Sequence, residues 1–522
     1  MKLITGTRIV GTAGICASLA LAGCGGGGGG GTGQQSQGQV VDGGTFTMAL
    51  SADPGNLDPQ SSAATALFTV TQLGYDTLVS VDSKSGEIRP QLAEKWSARG
   101  TDVTLTLRKG ITCADGTPMT AKVVSDNLGY VGDPENKSPF LGTFLPAGAT
   151  ASGDDAAGTV TLKLAAPAPF VLNGLASLPI VCPGGMADRA TLARGTSGTG
   201  PYTLTEAVPG DHYTYAIREG YDWGPDGATT ATPGMPDTVV IKIVENPATA
   251  ANLLLSGELN AAQVTGPDAE RLDRAGLFAA RTTALLGQQW YNQAEGHATA
   301  DPAVRMALTQ ALDLAEVRTV LSAGKGTPPT TLAAIEPVAC PGGQLGDALP
   351  AHDAAAATEA LKRIAGRPLV FAYPTTGGSA GTAAAELAVQ QWKAAGVEVT
   401  TKPQSADVMN QTLFGTGDWD IAWAPVNVNS PDQLVPFLSG PTVPDGTNFA
   451  GIGNSGYDAA VKQASAMDGV AGCASWLAAE TALVKAADVV PFANQQVPTY
   501  GVKARFETPG QLIPTSIRML DR

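Results

Sequence analysis

Residues 354–401, AAAATEALKRIAGRPLVFAYPTTGGSAGTAAAELAVQQWKAAGVEVTT, decide the fold class. Ala354 to Ile364 reads as a helix, Pro368 to Tyr373 as a strand, Ala383 to Ala395 as a helix that Gly396 stops, and Val397 to Thr401 as a strand. Strands alternating with helices bury a sheet face under a helical layer, so this stretch predicts an α/β lobe.

The flanking chain carries the same two periods. Val103, Leu105 and Leu107 alternate with polar residues, as do Val160, Leu162 and Leu164, which predicts strands with one buried face. Thr45 to Leu50 is a further strand-like run, broken by Asp53-Pro54-Gly55 and Asp58-Pro59. Asp301 is placed to cap a helix and Pro302 to open its first turn, and Val304, Leu308, Ala311, Leu312, Val317 and Leu321 follow at helical spacing, which predicts one amphipathic helix. No solenoid repeat or heptad run is present.

At the N-terminus, Lys2 and Arg8 accompany an almost wholly apolar or small run from Ile9 to Ala22, and Leu21-Ala22-Gly23-Cys24 completes a signal peptide (1–23) ending in a lipobox. The run is shorter than the ~20 residues a membrane-spanning helix needs. The motif resembles that of bacterial lipoproteins, which implies lipid on the Cys24 thiol and a location outside the cytoplasmic membrane, at the cell surface or in the periplasm. Residues 25–39 (GGGGGGGTGQQSQGQ) hold no aliphatic or aromatic side chain to offset the entropy of ordering, and a tether over 24–41 is expected.

Roughly 500 residues then remain, too many for one core, so two lobes are expected. With 47 acidic against 32 basic residues, the chain repels a phosphate backbone, and nucleic acid is excluded as a partner. Besides Cys16 and Cys24, the even set Cys113, Cys182, Cys340 and Cys473 predicts two disulfides, with three pairings open. These cysteines are isolated, with only His212, His297 and His352 to assist them, so neither a metal site nor a cofactor is expected.

An enzymatic reading rests on Gly377-Gly378-Ser379-Ala380-Gly381, which fits the G-x-S-x-G of a hydrolase elbow between strand and helix. All three histidines precede Ser379, whereas that class places its base after the serine, so no catalysis is expected. A secreted lipoprotein hydrolase using Ser379 is the alternative. Ser322-Ala323-Gly324-Lys325 matches S-x-x-K with no K-T-G downstream, and no P-loop, H-E-x-x-H or EF-hand loop occurs.

Several segments in order carry a family resemblance: Leu57-Asp58-Pro59, Tyr75-Asp76-Thr77-Leu78-Val79, Pro90-Gln91-Leu92-Ala93-Glu94-Lys95-Trp96, Leu107-Arg108-Lys109-Gly110-Ile111 with Asp115-Gly116-Thr117-Pro118 and Thr120-Ala121, Gly198-Thr199-Gly200-Pro201-Tyr202, Leu254 to Asn260, Asp301 to Leu308, and Asp418-Trp419-Asp420-Ile421. Together they resemble the extracellular solute-binding proteins of family five, the peptide- and nickel-type components of ABC importers. The resemblance implies a two-lobed, periplasmic-binding-protein-like α/β fold with an enlarged first lobe. Lobe I is expected over 42–285, with an extra subdomain at about 82–195, lobe II over 286–496, and a return to lobe I over 497–522. Hinges are expected near Leu286 to Asn292 and Asn494 to Tyr500. Within such lobes Cys113–Cys182 and Cys340–Cys473 is the preferred pairing, since each bridge then leaves the hinge free.

The same resemblance implies a monomer that captures a peptide or similar solute by lobe closure and hands it to membrane permeases, with a separate ATPase chain. Oligosaccharide and metal-chelate ligands stay open. Peptide-binding members commonly place an aspartate before a proline in the second lobe to meet the peptide ammonium; here Asn427 stands four residues before Pro431, a neutral amide in place of a carboxylate. Trp423, Trp290 and Tyr291 are candidate walls of the ligand site, and Asn292 and Asn494 candidate hydrogen-bonding groups.

Overall fold

The computed structural model describes residues 38–62, 64–375 and 378–522. The signal peptide, Cys24 and the tether up to residue 37 lie outside the described residues. The end of the expected tether does not: Gln39 N–H donates to the Asp521 carboxylate, and Val41 N–H to the Met519 carbonyl. The body thus begins at Gln39 rather than residue 42, held through main-chain groups that no side-chain pattern announces.

A ten-stranded mixed sheet runs through the molecule. Its order is Val399–Gln404, Leu369–Pro374, Ile421–Trp423, Phe278–Tyr291, Val489–Gly501, Ala261–Gln263, Thr45–Leu50, Thr238–Ile243, His212–Ile217 and Tyr202–Val208. The stretch that predicted the α/β lobe forms helix Ala354–Leu361, strand Leu369–Pro374, helix Gly378–Ala394 and strand Val399–Gln404, the two strands pairing in parallel. The fold is two-lobed, and the two lobes share this sheet.

Lobe I is enlarged by a separate four-stranded antiparallel sheet, Ala93–Arg99, Asp102–Leu107, Thr159–Lys163 and Thr150–Asp154, with helix Ala121–Gly132 against it. The alternation read from Val103 to Leu107 and from Val160 to Leu164 is its buried face, every one of those six side chains at 7% exposure or less. Thr120 caps the helix through Val123 N–H, and Gly153 is obligatory beneath it, because a Cβ there would lie 2.2 Å from the Ala121 carbonyl. Cys113 is bonded to Cys182 and Cys340 to Cys473.

Near the end of the chain, Phe506 packs edge-on to Phe46 (5.8 Å) and Phe278 (5.4 Å). In lobe II, Phe371 gathers Trp392 and Trp423 at 5.1–5.2 Å. The single helix expected after Asp301 is two helices, Pro302–Gln310 and Leu314–Leu321. Asp301 caps the first through Ala303 N–H; Asp313 interrupts the run by accepting from Ala315 and Glu316 N–H, because an aspartate offers the backbone an alternative partner.

Candidate functional site

The lobes meet on the two longest strands, Phe278–Tyr291 and Val489–Gly501. Their antiparallel ladder runs from Phe278 opposite Gly501 to Leu285 opposite Asn494, is irregular at Leu285, Gly287 and Gln288, and resumes from Gln288 opposite Pro491 to Trp290 opposite Val489. One half lies beside Ala261–Gln263, the other beside Ile421–Trp423. A bulge bends and twists a strand pair, so the change of direction between lobes is built into the ladder. Gly287 is required there: a Cβ would lie 2.4 Å from the Phe492 ring.

At the break both outer edges of the pair are clasped by lobe II. Leu285 N–H donates to Asn427 Oδ1 (2.8 Å), and Asn427 Nδ2 donates to the Leu285 carbonyl (3.0 Å). On the other strand, Asn494 exchanges both main-chain hydrogen bonds with Thr327, each at 2.9 Å. Carboxamide and backbone stand in for strands that end here, leaving few main-chain groups unpaired.

Thr327 opens an irregular loop that continues to Leu345. Leu332 N–H donates to Glu480 (3.0 Å), Ile335 N–H to the Val428 carbonyl (3.0 Å), Ala339 N–H to the Asn429 carbonyl (2.8 Å), and Cys340 is held by Cys473. The loop thereby lies over residues 428–429 and reaches lobe I, where a Cβ on Gly86 would be 3.5 Å from Pro337 and one on Gly510 would be 3.2 Å from Ile335. Beside it Trp476 meets Phe170 of lobe I, ring centres 6.3 Å apart. Glu480 beneath the loop and Asp432 beyond Ser430 have no cationic partner among the described residues, and burial pushes both up, Glu480 to about 7 and Asp432 to about 6.

The structure divides the six candidate ligand residues. Trp423 is buried and donates to Gln289 Oε1; Trp290 is fully buried, donates to the Ala424 carbonyl and packs on Phe449. The Tyr291 hydroxyl is bonded to Gln289 and Thr309, and burial holds it un-ionised. Asn292 donates to the Trp419 and Gly417 carbonyls. These four are consumed by lobe II packing; Asn427 and Asn494 alone of the six stand at the junction. Gln288 was not anticipated: wholly buried, it accepts from Val426 N–H through Oε1 (2.8 Å), while Nε2 has no partner among the described residues. Its signal was a polar Gln288-Gln289 pair set between apolar Leu285-Leu286 and Trp290.

The motifs of lobe I assemble a scaffold. Asp76 is buried and accepts from Gln91, Thr199, Tyr221 and Trp223, tying three of the quoted segments into one node. Glycines let them close: a Cβ on Gly198 would lie 2.2 Å from the Gly74 carbonyl. Asp58 pairs with Arg189, which lies over the Tyr130 ring at 3.8 Å.

A sequence model of the bacterial extracellular solute-binding proteins, family 5 Middle, matches residues 87–443, spanning most of lobe I, one long shared strand and most of lobe II. The chain belongs to that family. Among solved structures, this family 5 chain is similar to a substrate binding protein from Microbacterium hydrocarbonoxydans complexed with 4-hydroxybenzoate hydrazide, 27% identical, TM-score 0.77, covering 91% of this chain and 99% of that one. The murein tripeptide binding protein MppA of Escherichia coli shares the fold, at 20% identity, TM-score 0.74, with 92% and 100% covered. A curated relative, the probable D,D-dipeptide-binding periplasmic protein DdpA of Escherichia coli (strain K12), is 31% identical over 188 residues, 31% of this chain and 35% of its own length. The aligned stretch is thus about a third of that relative.

Members of family 5 are binding proteins, and the histidines of this member are engaged away from Ser379. His297 contacts Asp420 and Asn292, His212 contacts Asp211 and Glu206, and His352 contacts the Gln310 carbonyl. Ser379 is exposed in the first turn of helix Gly378–Ala394. Among the described residues no three His, Cys, Asp or Glu side chains converge as a metal ion would require, and no helix is long and apolar enough to cross a membrane.

Proposed function

We propose that this protein is the extracytoplasmic substrate-binding component of an ABC importer, a non-catalytic monomer that captures a peptide or similar solute between its lobes and delivers it to permeases served by a separate ATPase. The observation that carries this reading is the bulged two-strand crossing, the natural axis for lobe rotation. Contacts available only when the lobes meet, such as Phe170 with Trp476, bias the equilibrium toward closure once a solute adds to them. Lipidation at Cys24 is the proposed tie to the membrane, and the hinge is proposed at Leu285–Gln288 and Ala493–Asn494.

Two of the relatives support a solute bearing amide-like groups: one is named for a D,D-dipeptide, another is complexed with an aryl hydrazide. The test is thermal unfolding across free peptides, N-acetylated peptides, 4-hydroxybenzoate hydrazide, oligosaccharides and metal chelates, with X-ray scattering on each hit. A ligand that binds only the folded state raises the midpoint by mass action. A raised midpoint with a smaller radius of gyration is expected; no shift with any solute would refute the reading and reopen Ser379 as a nucleophile.

A further inference from the structure

Three buried polar atoms at the junction have no hydrogen-bond partner among the described residues: Gln288 Nε2, Asn494 Oδ1 and Asn429 Oδ1. Contacts bring their residues to one place. Gln288 holds Val426 N–H, the next residue Asn427 clamps Leu285, Leu285 faces Asn494 across the ladder, and Asn429 follows two residues after Asn427. Gln288 is wholly buried and Asn494 is 5% exposed.

An unpaired buried donor or acceptor costs about 1–3 kcal/mol, so native structures pair nearly all of them. Three left over at one strand break, on the axis where the lobes meet, point to a partner from outside the chain. Leu285, Gln288, Thr327, Asn427, Asn429 and Asn494 carry no charge, so an ionised ligand group would shed its hydration against neutral side chains, the carboxyl of Asp432 being bonded to Ser430. One donor and two acceptors complement an acyl–NH unit, whose carbonyl takes the Gln288 amide and whose N–H meets Asn494 or Asn429. Asn427 already spends one lone pair and one N–H of its carboxamide on Leu285 and carries no charge to attract an ammonium.

We propose that Gln288, Asn494 and Asn429 form a recognition site for an uncharged acyl–NH group of the captured solute, a peptide bond or a hydrazide, with Asn427 holding the strand break rather than meeting an amine. This rests on the solute-binding reading above.

The test is calorimetry of the full chain with an N-acetyl dipeptide amide, the same dipeptide with free termini, and 4-hydroxybenzoate hydrazide, using Asn494→Leu and Asn429→Leu. Neither side chain makes a hydrogen bond within the described residues, so removing an unpaired acceptor leaves folding unharmed. Gln288 is left intact because it holds Val426. The expected result is tighter binding of an uncharged solute than of the free dipeptide, weakened at least tenfold by at least one of the two variants with no fall in the thermal midpoint. Which uncharged solute binds identifies the source of the acyl–NH group. Affinities unchanged by both variants, or a midpoint that falls in step with affinity, would overturn the site while leaving the importer reading in place. A wild type that binds nothing across the wider panel overturns both.

Discussion

Asn427 pairs with Leu285 as a neighbouring strand would, one carboxamide satisfying both main-chain groups of a residue 142 positions away. Asp cannot reproduce this, because a carboxylate has no donor for the Leu285 carbonyl. Asn427→Asp is therefore expected to lose about 1–2 kcal/mol of stability in urea unfolding, no better than Asn427→Ala. A variant as stable as wild type would remove the clamp from the account.

Glu480 titrates at about 7 in the fold against 4.5 unfolded, because burial outweighs the N–H groups of Leu332 and Ala333. With the folded value raised, its contribution is fully present below pH 4.5 and is lost as pH rises through 7, by about 3 kcal/mol in order of magnitude. Glu480→Gln keeps an acceptor for Leu332 without the charge. Its midpoint is expected to exceed that of wild type at pH 8 and to converge with it near pH 5. The slope from Asp432, at about 6 and of the same sign, should persist in that variant.

Asp76→Ala strands three donors, the side chains of Gln91, Thr199 and Tyr221, inside lobe I and leaves Trp223 only the Thr199 carbonyl. Loss of a buried hub of this kind is expected to cost at least ~3 kcal/mol. Circular dichroism melting reads it, and a midpoint within a degree of wild type would contradict the scaffold role.

Gly287→Ala drives a methyl into the Phe492 ring and should cost about 1–3 kcal/mol as overpacking. Gly287→Ala with Phe492→Leu should recover part of that loss, a coupling measurable in a double-mutant cycle. Strict additivity would mean that the bulge relaxes around the methyl.

Much of the scaffold was legible because it is written locally. The α/β alternation of residues 354–401, the buried faces ending at Leu107 and Leu164, and the caps at Thr120 and Asp301 each depend on spacing within one or two turns. Where two local signals competed, reading failed: apolar spacing predicted one helix through Leu321, and Asp313 capped a second. The motif residues Asp58, Asp76, Gln91 and Thr199 marked the family correctly, yet a motif does not say whether a polar side chain serves a ligand or its own fold.

The candidate site shows the limit most clearly. By itself the sequence determined the fold class, the family and the neutral amide at position 427. Only the tertiary structure decided that Trp290, Tyr291, Asn292 and Trp423 are spent inside lobe II, that Asn427 answers Leu285, and that Gln288 and Asn494 keep unpaired atoms at the lobe junction. The reason is physical. Helix and strand period fix which residues share a face, but the polarity a side chain meets is set by partners brought together over more than a hundred residues, at a bulge that no periodicity reveals.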